Sequence, residues 1–227
     1  TTLGRGGSDF TAALTGAGIG AEEIQIWTDV DGMMTADPQS VPEARRLKLI
    51  SFAEAAELAY FGAKVLHPAT VLPAIEKNIP IVILNSRRPE VTGTRIITEA
   101  VPCANPIKSI ACKRHITVVN IHSTRMLMAH GFLARIFEVF NRYETAVDML
   151  STSEVSVSAT IDNTAKLDRI QAELEEFSEV RVERDRAIIC LVGDNIRYTP
   201  GIGARIFRAL SPVNVLMVSQ GGSQWNL

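Results

Sequence analysis

Hydrophobic and polar positions along this chain switch repeatedly between a helical and a strand-like period. Thr11 to Ala17 reads as a helix, with Ser8 or Asp9 placed to cap it. Ile24 to Trp27 is a short apolar run of strand size. Ser51-Phe52-Ala53-Glu54 has capping-box spacing, and the helix that follows puts Phe52, Ala55, Ala56 and Ala59 on one face. Gly62 marks its stop, and Pro68 opens another helix that ends near Asn78. Ile79 to Leu84, rich in β-branched residues, reads as a buried strand. This alternation over residues 1 to 100 predicts an α/β sandwich.

Residues 101–112 break the pattern. Pro102, Asn105 and Pro106 sit in a stretch with little periodicity, which reads as a linker. Beyond it the chain repeats itself. Gly131 to Phe137 (GFLARIF) returns as Gly201 to Phe207 (GIGARIF), with five of seven positions identical. A strand pattern precedes each copy, at Ile116 to Ile121 and at Ile188 to Val192. An apolar strand pattern follows each helix, at Ala146 to Leu150 and at Val213 to Val218. The first copy continues through Val155 to Ile161, a helix at Ala165 to Phe177 and a strand at Val180 to Val182. That order is βαββαβ, the ferredoxin-like arrangement. Residues 113–184 therefore form a first module and residues 185–227 a second, incomplete one that breaks off in its third strand. Thr1 opens directly into a glycine-rich stretch, so the chain is expected to begin inside a domain, with further residues beyond Leu227.

Composition narrows the function. The chain has 227 residues, is 46% hydrophobic and carries a net charge of −2, which excludes a disordered chain and gives no basic surface for nucleic acid. No apolar run is long enough to span a bilayer. Cys103, Cys112 and Cys190 form no CxxC pair, so neither a disulfide framework nor a metal site is expected, and a cytoplasmic setting follows.

Three segments carry candidate chemistry. Thr1 to Asp9 (TTLGRGGSD) supplies Gly4, Gly6 and Gly7 for close backbone approach, and Arg5 as a planar cation for phosphate or carboxylate. It lacks the Gly-Lys-Ser/Thr of a Walker A loop, and an ordinary glycine turn with a capping Ser8 or Asp9 explains it as well. Beside phosphates, Asp9 would orient lysines or a hydrated metal rather than touch the phosphoryl group. Trp27 to Pro38 follows a strand, where open α/β sheets bind ligands, and a solvated loop is the competing reading. Lys64, in Phe61 to Pro68, either snorkels from the helix end or reaches phosphate as a point charge.

Together the segments TTLGRGGSD, WTDVDG, TADP, FAEAAELAYFGAKVLHPAT and STSEVSVS resemble the aspartate kinases of the amino-acid kinase family, and of these the lysine-sensitive, monofunctional type. The resemblance implies the C-terminal half of an amino-acid kinase αβα sandwich followed by tandem ACT modules. It implies transfer of the γ-phosphoryl of ATP, with Mg²⁺, to the side-chain carboxylate of L-aspartate. By motif, Arg5 and Ser8 would bind aspartate, and Asp9 would organise the transfer. Gly4, Gly6, Gly7, Thr28, Asp29, Met34 and Lys64 would hold the nucleotide. Met34 stands where an aromatic residue is common, and Gln39 where an arginine is common, which puts nucleotide affinity in question.

In the ACT region the family binds a free amino acid. The matching positions are Met126, Gly131, Phe132, Leu133, Val147, Asp148, Thr152, Ser153 and Glu154. Asp148 and Glu154 would suit the two ammonium groups of lysine. ACT modules pair across subunits, so a homodimer is expected. The family's N-terminal Lys-Phe-Gly-Gly segment is not in this sequence, so these residues alone are expected not to catalyse. The alternative is a non-catalytic, amino-acid-binding regulatory subunit.

Overall fold

The structure is a computed structural model that describes residues 7–61, 72–99, 105–124, 130–220, 223 and 225–227. It divides into two compact units: residues 1–112 with 189–209 and 220–227, and residues 113–188 with 210–219.

The first unit is built on a four-stranded sheet. Its elements in chain order are α1 (Gly7–Ile19), β1 (Ile24–Thr28), β2 (Leu49–Ser51), α2 (Phe52–Tyr60), α3 (Leu72–Glu76), β3 (Ile81–Asn85) and β4 (Thr94–Ile97). The strand order is β1-β3-β4-β2. Strand β1 runs parallel to β3 with Ile24 opposite Ile81, β2 runs parallel to β4, and β3 and β4 are antiparallel. All five residues of the inner strand β3 are buried, as its continuous apolar run requires. The edge strand β1 alternates, with Ile24 and Ile26 inward and Trp27 outward.

Helix α1 packs on β1 and α3, and α2 on β2 and β4. Helix α1 runs over Gly7–Ile19, so Ser8 and Asp9 lie inside its first turn rather than capping it. The Thr11 hydroxyl, one turn on, donates to the Gly7 carbonyl at 2.8 Å. The capping box at α2 forms as read: Ser51 Oγ accepts from the Glu54 amide, and Glu54 Oε2 accepts from the Ser51 amide. Leu58 joins Phe52 and Ala55 in the buried face of α2, while Ala56 and Ala59 are half-buried. Gly62 and Pro68 lie outside the described residues.

The second unit contains β5 (Ile107–His122) from Lys113 onward, α4 (Phe132–Arg142), β6 (Leu150–Thr152), β7 (Ser156–Ile161), α5 (Leu167–Glu175) and β8 (Glu179–Gly193) as far as Ile188. The sheet order is β6-β7-β5-β8, the ferredoxin-like order for a βαββαβ chain. Its core joins Val119, Ile121, Val157, Ala159 and Ile161 to Ile136, Val139 and Phe140 of α4 and Ile170 and Leu174 of α5. The α4 positions recur at the three- and four-residue spacing that buries one helix face.

Four strand assignments change. Ile107–Cys112, expected as linker, is the start of β5 and belongs to the first unit. The strands expected at Val180 to Val182 and Ile188 to Val192 are one strand, β8. Val213 to Val218 forms no ladder: Val213, Val215, Leu216 and Val218 are exposed, because an apolar run without a hydrogen-bonded partner is not a strand. The strand after α4 is shifted to Leu150–Thr152, since Asp148 and Met149 both bond Thr160 and break the regular pairing.

The sequence repeat is also a geometric repeat. Gly131 and Gly201 have φ of 83° and 82°, and each precedes a helix, α4 and α6 (Ile202–Ala209). In both copies the first amide of the following turn returns to that glycine, Arg135 to Gly131 at 3.0 Å and Arg205 to Gly201 at 3.1 Å. Buried Ile136 matches buried Ile206, and half-exposed Phe137 matches half-exposed Phe207. In the second copy Val192 forms an antiparallel bridge with Asn226, and Leu191 and Leu227 exchange backbone bonds of 2.9 and 3.1 Å.

Candidate functional site

The candidate nucleotide segment lies at the carboxyl ends of the parallel strands β1 and β3. Thr28 ends β1, and its carbonyl accepts from the amide and hydroxyl of Ser86, just past β3, at 2.8 and 2.9 Å. The Thr28 hydroxyl lies 3.3 Å from Asp29 Oδ1, and Asp29 is exposed. Asp31 is committed elsewhere: it accepts from Asn85 Nδ2 at 2.6 Å and forms an ion pair with Arg88. Asp31, Asn85, Ser86 and Arg88 were not singled out by the motifs. Their signal is positional, since Asn85 to Arg88 directly follow a parallel strand.

From Gly32 to Leu47 the loop is a built element. Met33 is buried, and its amide donates to Thr94 Oγ1 at 2.9 Å. Asp37 closes a turn, accepting from the Gln39 amide and the Ser40 hydroxyl. Met34 bridges to Arg46, and its carbonyl accepts from Ser109 Oγ at 2.7 Å. The next carbonyl, of Thr35, accepts from the Ile110 amide at 2.9 Å. Strand β5 thus fixes the backbone of the candidate nucleotide loop. Gly7, Ser8 and Asp9 occupy the first turn of α1, where an acidic side chain meets the positive end of the helix dipole. Gly4, Arg5, Gly6 and Lys64 lie outside the described residues.

In the second unit the candidate effector residues fall into separate places. Gly131 precedes α4, and Phe132 packs edge-on against Phe177 with ring centres 5.7 Å apart. Arg135 covers the face of the Phe177 ring at 3.9 Å. Leu133 is half-exposed on the same helix. Val147 packs against the core. Ser153 and Glu154 form the tight turn from β6 to β7, with the Ser153 amide on the Ser156 carbonyl at 2.8 Å; Thr152, Ser153 and Glu154 are all exposed. Met126 lies outside the described residues.

Asp148 stands at the other end of β6, beside Thr160. Glu154 lies past the opposite end of β6, in the turn to β7. Asp148 is bonded to Lys113, whose Nζ lies 2.9 and 2.8 Å from its two oxygens. The same ammonium lies 2.8 Å from Asp162. Burial by itself lowers the Lys113 pKa, but hydrogen bonds to Asp148 and Asp162 outweigh it and hold it above the ordinary lysine value. The bond from Lys113 pulls Asp162 below the ordinary carboxylate value.

Comparison with known proteins covers the whole length of the chain. The amino acid kinase family matches residues 1–85, and the ACT domain matches residues 189–227. The lysine-sensitive aspartokinase 3 of Escherichia coli is 41% identical over the whole of this chain, which covers 52% of that protein. Over its whole length the chain is similar to aspartokinases. It spans about half the length of the relatives it matches. The crystal structure of E. coli aspartokinase III with aspartate and ADP aligns with a TM-score of 0.87 at 41% identity, over all of this chain and 52% of that one. The same enzyme with lysine and aspartate aligns at 0.85 and 42% identity, with the same coverage. Among the described residues of this aspartokinase homologue, no helix is long and apolar enough to cross a membrane.

Proposed function

We propose that this protein is an aspartate kinase, transferring the γ-phosphoryl group of ATP to the β-carboxylate of L-aspartate as the first step toward lysine, threonine and methionine, under feedback control by lysine. The observation that carries the reading is whole-chain identity to a lysine-sensitive aspartokinase, in both the kinase part and the ACT part. Solved relatives holding aspartate with ADP, and lysine with aspartate, support the substrate and effector classes.

The chemistry suits the residues. A carboxylate nucleophile is ionised at neutral pH, so alignment and charge compensation dominate and no general base is needed. ATP supplies the phosphoryl group. Arg5 and Ser8 orient the aspartate, Asp9 organises the centre, and Gly4, Gly6, Gly7 and Lys64 approach the phosphates. Thr28 and Asp29 lie at the strand ends where open sheets bind ligands, and Met34 lies on a loop whose backbone β5 fixes. Among the described residues no cluster of three His, Cys, Asp or Glu side chains would cage a metal. Mg²⁺ fits this site as an ion carried largely by the phosphates and water. We place the protein in the cytoplasm, a reading supported by Cys112 and Cys190, free thiols among the described residues.

Lysine would bind the ACT region through Met126, Gly131, Phe132, Leu133, Val147, Asp148, Thr152, Ser153 and Glu154. Asp148 and Glu154 lie at opposite ends of β6, and pairing of ACT modules in a homodimer would let a second chain contribute to the same ligand. A coupled ATP and aspartate assay tests the kinase. The full-length protein is expected to turn over and the isolated 227-residue chain to be inactive. Turnover of glutamate in place of aspartate would overturn the assignment. Calorimetry is expected to show heat with lysine and little with threonine.

A further inference from the structure

We propose that Ser109 and Lys108, neighbours near the start of β5, are positioning residues for the nucleotide: neither touches it, and each holds a segment that does. This role rests on the reading of Met34 and Lys64 as nucleotide residues. The backbone from Met33 to Thr35 is held at every residue. The Met33 amide donates to Thr94 Oγ1 at 2.9 Å, the Met34 carbonyl accepts from Ser109 Oγ at 2.7 Å, and the Thr35 carbonyl accepts from the Ile110 amide at 2.9 Å. Thr94 belongs to β4 of the sheet, whereas Ser109 and Ile110 are delivered by β5. Ser109 is buried, so its bond to Met34 does not compete with water. Met33 is buried and Met34 half-buried, as alternation along an extended segment requires. A methionine side chain turns about three bonds and does not fix its own direction, so the backbone sets where Met34 meets a ligand.

Lys108 leaves β5 on the side opposite Ser109, because neighbours on a strand alternate. Its ammonium forms a buried ion pair with Glu54, in the first turn of α2. Helix α2 ends at Tyr60, four positions before Lys64 in the sequence. Two adjacent residues of one strand therefore anchor both candidate nucleotide segments, and a shift of β5 at this point moves the two together. Ser8, assigned to aspartate, lies on α1 and on neither segment. The role is therefore specific to ATP.

The test is the steady-state kinetics of the full-length protein carrying Ser109→Ala, with Lys108→Met as the second variant and Met34→Ala as the check on the nucleotide reading. Ser109→Ala is expected to raise the KM for ATP about fivefold, the worth of one enclosed hydrogen bond, and to leave the KM for aspartate unchanged. Lys108→Met is expected to act in the same sense. A variant that is only less stable loses folded enzyme, which lowers kcat and leaves both KM values where they were. An unchanged KM for ATP in Ser109→Ala, or an equal rise in both KM values, overturns the proposal. If Met34→Ala alone raises the KM for ATP, the positioning role fails and Met34 keeps its place at the nucleotide. If neither variant raises it, Met34 loses that place as well. A rise in Ser109→Ala without one in Met34→Ala also overturns the proposal, since the bond would then act elsewhere. Ser109→Ala decides alone where Lys108→Met does not fold; where it folds, an unchanged KM for ATP removes Lys108 from the pair.

Discussion

The ammonium of Lys108 lies 2.7 Å from the carboxylate of Glu54, with the two side chains 6% and 0% exposed. Glu54 is also the third residue of the α2 capping box, taking the amide and hydroxyl of Ser51 on its other oxygen, each at 2.9 Å. One buried carboxylate therefore ties the start of α2 to β5. Lys108→Met leaves that charge without its cation, and the expected cost is about 3–5 kcal/mol. Ser51→Ala removes a cap and is expected to cost about 1 kcal/mol. Urea unfolding measures both, and a smaller loss for Lys108→Met than for Ser51→Ala would show that the pair is not truly desolvated.

Gly93 and Gly131 both have left-handed backbone, with φ of 64° and 83°, yet their substitution should differ. A Cβ on Gly93 would lie 2.0 Å from the Ile83 carbonyl oxygen, whereas one on Gly131 meets nothing within 4 Å among the described residues. Gly131→Ala is expected to cost about 1–2 kcal/mol from conformation alone. Gly93→Ala must also displace the central strand β3, and the expected cost is clearly greater. Equal midpoints in denaturant would contradict the close approach.

The Lys113 cluster predicts a pH profile. Asp162 titrates below its ordinary value of 3.8 because Lys113 bonds it, so its stabilisation is present above that value and fades as pH falls through the lowered pKa. Lys113 titrates above its ordinary 10.5, so its contribution is present below 10.5 and fades as pH rises through the raised pKa. The Tm difference between wild type and Lys113→Ala should therefore form a plateau near neutral pH and shrink on both flanks. A difference that stays constant from acid to alkali would assign the effect to packing of the stem.

Cys190 and Cys112 should react differently. Burial, with the Glu57 carboxylate adding to it, pushes the Cys190 thiol up to about 12, while Cys112 is exposed. In a Cys103→Ser background at pH 8, iodoacetamide is expected to label Cys112 and spare Cys190 until denaturant is added. Labelling of Cys190 at a comparable rate would mean that the β8 end opens readily.

Much of the architecture was legible in local pattern. The Ser51 and Glu54 box, the apolar run of β3 and the twin glycine-helix motifs are each set by neighbours in sequence, and each forms. Val213 to Val218 shows the limit: its pattern is strand-like, but a strand needs a hydrogen-bonding partner, and pattern does not supply one. The pairing of Lys108 with Glu54 spans 54 positions and leaves no local trace. Ser109 was read as linker, yet its hydroxyl holds the Met34 carbonyl.

The chain by itself determined its periods, its caps, its internal repeat and its likeness to the aspartokinases, because these depend on residues a few positions apart or on motifs read in order. Tertiary structure alone decided which charges meet. Asp148, read as a waiting carboxylate, already holds Lys113, which sequence places 35 residues away and the strand order β6-β7-β5 brings within hydrogen-bonding distance. An enclosed carboxylate takes whatever cation the fold delivers to it, and that delivery is a property of the sheet rather than of any segment.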